Sequence, residues 1–256
     1  MKKAFSISSI ILIALLFINQ RAFSQNDRDS ENNQIGWYAF FMNYKLDDKW
    51  SVHGEFQWRR IDIVSAPQQN LYRTGINYKL HPQVVARVGY AFADTFNYGT
   101  EPLAGNAIRF PEHRIYQMIT ITNPIGKLGL SHRFMLEQRW VGRSLDPNAT
   151  SHDEYVYMNR MRYMFRMDIP LKGNTLDNHE PYLAFYDEIF IGFGKNVNQN
   201  VFDQNRIGLL AGYRFSETAR IEGGYLNQTV QFGRLVNGRN YFQFNQGLII
   251  MTYLNF

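Results

Sequence analysis

Most of the chain after residue 33 repeats one texture. Segments of roughly 11 to 16 residues alternate apolar and polar side chains, parted by turn-rich breaks. Successive strand residues point to opposite faces, so a period of two dictates strands with one apolar and one polar face. In "WSVHGEFQWRR" (50–60), Val52, Phe56 and Trp58 share a face with Gly54, against His53, Glu55, Gln57 and Arg59. In 83–93, Val84, Ala86, Val88, Tyr90 and Phe92 oppose Val85, Arg87 and Gly89. In 127–140, Leu128, Leu130, Phe134, Leu136 and Trp140 oppose Ser131, Arg133, Glu137 and Arg139. The segments 155–168 and 205–215 repeat the pattern.

An apolar face must be covered, and two architectures cover it. A β-sandwich turns it inward against a second sheet. A membrane barrel turns it outward to lipid around a polar lumen. After residue 25 no stretch approaches the ~20 apolar residues of a membrane helix, and a closed barrel is the other structure that spans a bilayer. Mean hydropathy is −0.36 although 45% of residues are hydrophobic, as alternation requires. Three features favour the barrel. Aromatic residues, 16% of the chain, recur near segment ends. The polar face carries Arg and Glu at mid-segment, with few Lys. Connections alternate between tight ("LDDK" 46–49, "LHP" 80–82, "NPIGK" 123–127, "SET" 216–218) and longer ("VSAPQQ" 64–69, 97–112, 142–154, 194–202, "GRLVNGR" 233–239).

The expected fold is therefore an all-β, antiparallel, up-and-down transmembrane β-barrel. The segments are 34–46, 50–61, 70–80, 83–96, 113–122, 127–141, 155–168, 181–192, 203–215, 219–232 and 240–256. That makes eleven, whereas single-chain bacterial barrels have even numbers. The expectation becomes ten or twelve, with twelve favoured, and "LKGNTLDNHE" (171–180) or the N-terminus is where a misreading would lie. "QNDRDSENNQ" (25–34) reads as a short polar lead.

The first residues have another purpose. Lys2 and Lys3 precede an apolar run from Ala4 to Ile18, and Ala22 and Ser24 suit a cleavage site before Gln25. Residues 1–24 are read as a secretory signal peptide, and 25–256 as one barrel domain. Loss of Lys2, Lys3 and Arg21 leaves 24 basic against 22 acidic residues. The basic balance thus gives no reason to expect nucleic acid. There is no Cys, which excludes disulfides and thiolate metal sites.

At the other end, Leu248, Ile250, Leu254 and Phe256 share one face, with Thr252 the weak member. A terminal aromatic on an alternating last strand is the signal read by the outer-membrane assembly machinery. The chain is expected in the outer membrane of a Gram-negative bacterium, with its lipid and that machinery as partners. Three stretches also resemble a known family: "NYKLDDKWSVHGEFQWRR" (43–60), "YDEIF" (186–190) and "FDQNRIGLLAGYRFSETARIEGGYLNQ" (202–228). They are similar to bacterial domain-of-unknown-function family two-four-nine-zero, a set of predicted outer-membrane barrels. The resemblance implies a barrel and a location, and supplies no catalytic residues.

Catalysis would need a nucleophile beside a base. Ser131–His132 and Ser151–His152 are adjacent pairs, and adjacent strand residues face opposite ways. The six His (53, 81, 113, 132, 152 and 179) have no ligand spacing, so neither a catalytic set, a metal nor a cofactor is expected. The strongest polar constellation is the inward face: Glu55, Arg59, Arg73, Arg87, Arg133, Glu137, Arg139, Arg160, Arg162, Arg166, Glu188, Arg206, Arg214, Arg220 and Glu222. Glu188 is the least constrained, because 182–191 is apolar on both faces. One reading is an ion-pair network that fills and stiffens the barrel. The other is an Arg-biased constriction passing small anionic solutes, because Arg outnumbers acid there. A lipid-modifying hydrolase and a surface adhesin acting through loops 97–112 and 142–154 are the alternatives.

Overall fold

The computed structural model describes residues 28–256 apart from 145 and 147. The expected signal peptide lies outside the described residues. Eleven strands, β1 (Arg28–Lys45), β2 (Trp50–Ile61), β3 (Ala66–His81), β4 (Val84–Thr95), β5 (Phe110–Ile125), β6 (Leu128–Arg143), β7 (Glu154–Pro170), β8 (Glu180–Phe193), β9 (Phe202–Arg214), β10 (Ala219–Val236) and β11 (Arg239–Asn255), make up the regular structure of those residues. Each pairs antiparallel with its neighbours in sequence, and β11 closes the barrel on β1.

The closure corrects the expected ten or twelve strands. β1 and β11 pair in parallel, from Arg28 opposite Asn240 to Asn43 opposite Asn255. An even number is needed only where the closing pair is also antiparallel; a parallel seam closes eleven. The polar lead is also corrected, because β1 begins at Arg28. Its polar side chains are tolerated there because they bond across the seam. Asn33 donates to Asn245 Oδ1 at 3.0 Å and Gln243 donates to Glu31 Oε1 at 2.7 Å.

The two rims differ. Tight turns after β1, β3, β5 and β9, the 171–179 connection and Phe256 lie at one rim. The start of β1 and the connections after β2, β4, β6, β8 and β10 lie at the other. Two of the connections expected to be long are short. Four residues, 62–65, join β2 to β3, and Asn237-Gly238 alone join β10 to β11. Both of those turn residues have positive φ, 51° and 77°, the geometry of a two-residue hairpin turn for which Asn-Gly is the preferred pair.

Period-two alternation decides what faces out. Phe40, Val52, Phe56, Tyr72, Ile76, Val88, Ile115, Ile119, Phe134, Met161, Leu183, Leu209 and Ile221 stand exposed on the outer wall. Aromatic pairs mark both ends of this wall. Trp50–Tyr78 and Tyr213–Phe215, with centroids 4.5 and 4.8 Å apart, lie toward the tight-turn rim. Tyr38–Trp58 and Trp140–Tyr157, at 5.4 and 5.3 Å, lie toward the loop rim. Two outward pairs of polar side chains satisfy each other: Gln117 and Gln138 exchange hydrogen bonds, and Asn205 donates to Asp187 at 2.5 Å.

The inner wall has two unlike halves. The β8–β11 and β1 side carries an apolar cluster of Ile35, Trp37, Ala39, Tyr182, Ala184, Tyr186, Leu210, Leu226, Ile249 and Met251. Each large member contributes about 1.5–3 kcal/mol by burial. Tyr182 and Tyr186 lie over Gly212 and Gly208 of β9, their register partners. A Cβ at either glycine would run into the ring beside it. The β2–β7 side carries most of the charges, and Glu188, Asp203, Arg206, Arg220 and Glu222 on β8–β10 answer them.

The lumen as candidate functional site

Each buried carboxylate of the lumen is held by arginine. Arg73 donates to Glu55 at 2.6 Å. Arg114 donates to Glu112 at 2.7 Å, and Arg139 also bonds Glu112. Glu137, 1% exposed, accepts from Arg160 at 2.6 Å and Arg162 at 2.9 Å. Arg160 continues to Asp203 at 2.5 Å, and Arg162 to Glu188 at 2.7 Å, which Arg133 also reaches at 2.7 Å. Glu222 takes Arg166 and Tyr182, both at 2.5 Å. Charge-assisted bonds of this kind offset the large cost of burying ions.

Three lumen arginines hydrogen-bond side-chain amides instead of carboxylates. Arg59 donates to Gln57 Oε1 (Nε, 2.9 Å; Nη2, 2.5 Å) and Gln69 Oε1 (2.7 Å). Arg87 donates to Asn77 Oδ1 at 2.5 Å. Arg206 donates to Gln204 Oε1 at 3.2 and 3.0 Å, and its Nη1 stays 4.0 Å from Glu188. Amide oxygens orient these guanidinia without neutralising them. Aromatic faces add support. Arg59 and Arg206 sit 3.9 and 4.8 Å from the Trp37 ring centre, and Arg162 and Arg206 sit 4.4 and 4.5 Å from that of Phe190.

The network does not fill the barrel. A mouth cavity of about 330 Å³ opens at the loop rim. Below it lie an upper chamber of about 120 Å³, a lower chamber of about 280 Å³ and an exit cavity of about 290 Å³ at the tight-turn rim. Leu103, Phe110, Arg139 and Asp203 border both of the first two. Trp37, Arg59 and Arg206 border both chambers. Arg220 borders the last two. Each space is roomy and polar enough to hold water.

The β4–β5 loop, 96–109, folds into the mouth. Thr100 N donates to Glu31 Oε2 at 2.6 Å, and Arg234 donates to the Pro102 carbonyl at 2.7 Å. Asn245 donates to the Tyr98 hydroxyl at 3.2 Å, and Leu103 packs on Phe232, Val236 and Tyr241. Burial holds the Tyr98 phenol above its ordinary range, so it stays neutral. At the loop's outer side, the hydrogen bond from Arg109 to Asp94 raises the guanidinium further above neutrality.

Fourteen of the fifteen inward residues named from alternation line the two chambers or their ion pairs, and Arg214 lies at the rim. Arg214 donates to the carbonyls of Leu176 and Ser216 and takes no part in the central network. Glu188 points inward, its neighbours Tyr186 and Phe190 being lumen residues too. Alternation missed Glu112, which falls in the expected loop 97–112 although β5 begins at Phe110, and Arg114, which lies within the expected segment 113–122 but is not among the inward residues named from it. It also missed Asp203. The register slips between Phe190 and Ile191, whose partners on β9 are Gln204 and Phe202. Asp203 is the extra residue of that bulge, and the bulge turns it toward Arg160. Leu248, Ile250 and Leu254 lie on the outer parity of β11, and Phe256 is exposed just beyond it.

The two Ser–His pairs form no contact with each other. His132 bonds the Tyr163 hydroxyl at 2.9 Å, and Ser151 and His152 lie in the β6–β7 connection. Among the described residues no group of three or more His, Asp or Glu is placed to hold a metal ion.

Comparison with known proteins adds the following. No curated protein matches the chain. Among solved structures, a chain described as "NanC porin structure in rhombohedral crystal form" is similar at 12% identity and a TM-score of 0.42. The similarity covers 80% of this chain and 91% of that one. The barrel assignment rests on the strand pairing above. A family model described as "Protein of unknown function (DUF2490)" matches residues 34–236, most of the chain. The protein belongs to that family.

Proposed function

We propose that this protein sits in the outer membrane of a Gram-negative bacterium as a narrow pore for small anionic solutes. The apolar outer wall between two aromatic belts supports the membrane seat, because such a wall in water would be an aggregation surface. Its partners there are outer-membrane lipid and, during biogenesis, the barrel assembly machinery, which reads Leu248, Ile250, Leu254 and Phe256. The signal peptide over residues 1–24 supplies the export step.

One observation carries the pore reading. Arg59, Arg87 and Arg206 line the two chambers that lie in series between the mouth and exit cavities, and among the described residues no carboxylate lies within hydrogen-bonding distance of any of them. Guanidinia that hydrogen-bond neutral amides rather than carboxylates, in a confined polar space, repel cations and replace the hydration of anions. The test is the reversal potential of purified protein in a planar bilayer under a potassium chloride gradient. Anion-selective channels are expected, with the preference reduced in the triple variant R59Q/R87Q/R206Q. A correctly folded barrel that leaves the bilayer silent, or that selects cations, overturns the reading.

A further inference from the structure

We infer that the partition between the two chambers is a binding site for one compact oxyanion, a carboxylate or a phosphate, gripped by Arg59 and Arg206 against Trp37. The inference deepens the pore reading and rests on it for the arrival of anions in the lumen. Three observations carry it. First, Trp37, Arg59 and Arg206 are the residues that border both chambers, so a solute moving between them passes these side chains. Second, both guanidinia are nearly buried, with Arg59 5% exposed, yet their acceptors are the neutral amides of Gln57, Gln69 and Gln204. Third, the two like charges stand over one indole.

A buried charge without a counter-charge is costly, and two neighbouring ones add repulsion. Cation–π contact recovers only part of that cost. An oxyanion bridging the pair removes both penalties. A guanidinium stacked on a ring leaves its N–H edges in the plane of the fork, the geometry that carboxylate and phosphate oxygens match. Arg206 spends Nε and Nη2 on Gln204, which leaves its Nη1 protons for a ligand. Trp37 itself is pinned, its Nε1 donating to Gln68 at 2.6 Å, so the platform is rigid before the anion arrives. Glu188, the nearest acid, is already held by Arg133 and Arg162 and does not compete.

Trp37 also supplies a readout that needs no current. The other tryptophans, Trp50, Trp58 and Trp140, lie on the outer wall. In a W50F/W58F/W140F background the emission reports the partition alone. Sodium phosphate and sodium acetate are titrated separately at constant ionic strength into the detergent-solubilised barrel. A saturable change with at least one is expected, and which anion saturates at lower concentration identifies phosphate or carboxylate as the preferred chemistry. R59Q and R206Q should each raise the half-saturation concentration at least tenfold, and R214Q, at the tight-turn rim and outside the network, should leave it unchanged. If the Gln variants fail to give heat-modifiable barrel, R59K and R206K keep the charge without the fork and should still weaken binding severalfold. No saturable change with either anion, or equal saturation in the Arg59 and Arg206 variants, overturns the site. Saturation without bilayer current keeps the site and removes the pore; anion-selective current without saturation does the reverse.

Discussion

Glu137→Gln is the sharpest probe of the ion network. Glu137 accepts Arg160 through Nε at 2.7 Å and Nη2 at 2.6 Å, and Arg162 through Nη1 at 2.9 Å. Glutamine keeps the shape and one acceptor oxygen but places an NH₂ donor against guanidinium donors. Bonds to charged groups contribute about 1.5–3 kcal/mol each, so the two that Arg160 makes to Oε2 amount to ~3–6 kcal/mol, and the single Arg162 bond to Oε1 to half of that. Removing one partner of a buried ion pair leads to the same range. Arg160 keeps Asp203 and Arg162 keeps Glu188, so the lower end applies, about 3 kcal/mol. With a urea dependence of ~3 kcal/mol/M, the unfolding midpoint in lipid vesicles should fall by about 1 M. Glu31→Gln, near the loop rim, serves as the comparison for loss of a carboxylate outside the network. A midpoint shift below ~0.3 M for Glu137→Gln would refute the claim that these pairs hold the barrel together.

Other outcomes follow from the same geometry. Gly208→Val should push the Tyr186 ring off the wall and cost about 1–3 kcal/mol in the same unfolding assay; a neutral result would show that the ring has room to move. Deleting Phe256 removes its N–H bond to the Asn43 carbonyl (2.8 Å) and the Lys45 N–H bond to its own carbonyl (2.6 Å). Heat-modifiable protein in the outer membrane should drop while export across the inner membrane continues, and wild-type levels of inserted protein count against the role of that residue. Shortening the β4–β5 loop by residues 99–106 takes away the Glu31 and Arg234 tethers and should raise single-channel conductance about twofold. Unchanged conductance would mean that the loop does not narrow the path.

Alternation made the lumen legible because a strand offers a side chain only two directions. Once Val52, Phe56 and Trp58 are placed outside, Glu55 and Arg59 have nowhere to go but in. The method weakened where both faces are apolar. On β8, Tyr182, Ala184, Tyr186 and Phe190 are lumen residues because half of the inner wall is a hydrophobic cluster, and hydropathy cannot tell that wall from lipid. It failed at Asp203, because a bulge reverses the parity and leaves no mark in composition. The eleven segments read from local pattern match the eleven strands in number; the even-number rule displaced them because it assumes an antiparallel seam. Asn237-Gly238 was visible as a turn pair, yet the flanking Gly233 made the whole stretch look like loop. The Trp37 partition lay beyond any local reading, since Arg59 and Arg206 are far apart in the chain and meet only across the lumen.

The parallel seam sets an order of events. Every other strand pair joins chain neighbours through a short or moderate connection, so each forms as soon as its second strand is made. The first strand instead waits for a partner some two hundred residues downstream. Until then its inter-strand N–H and C=O groups on that side stay open, in the very strand that carries Trp37. Parallel pairing is also slightly weaker per residue than antiparallel. The seam is thus the last joint to form, and its sixteen paired residues, the longest ladder of the barrel, offset the weaker parallel bonding. Removal of β11 should therefore leave the Trp37-bearing edge of β1 unpaired.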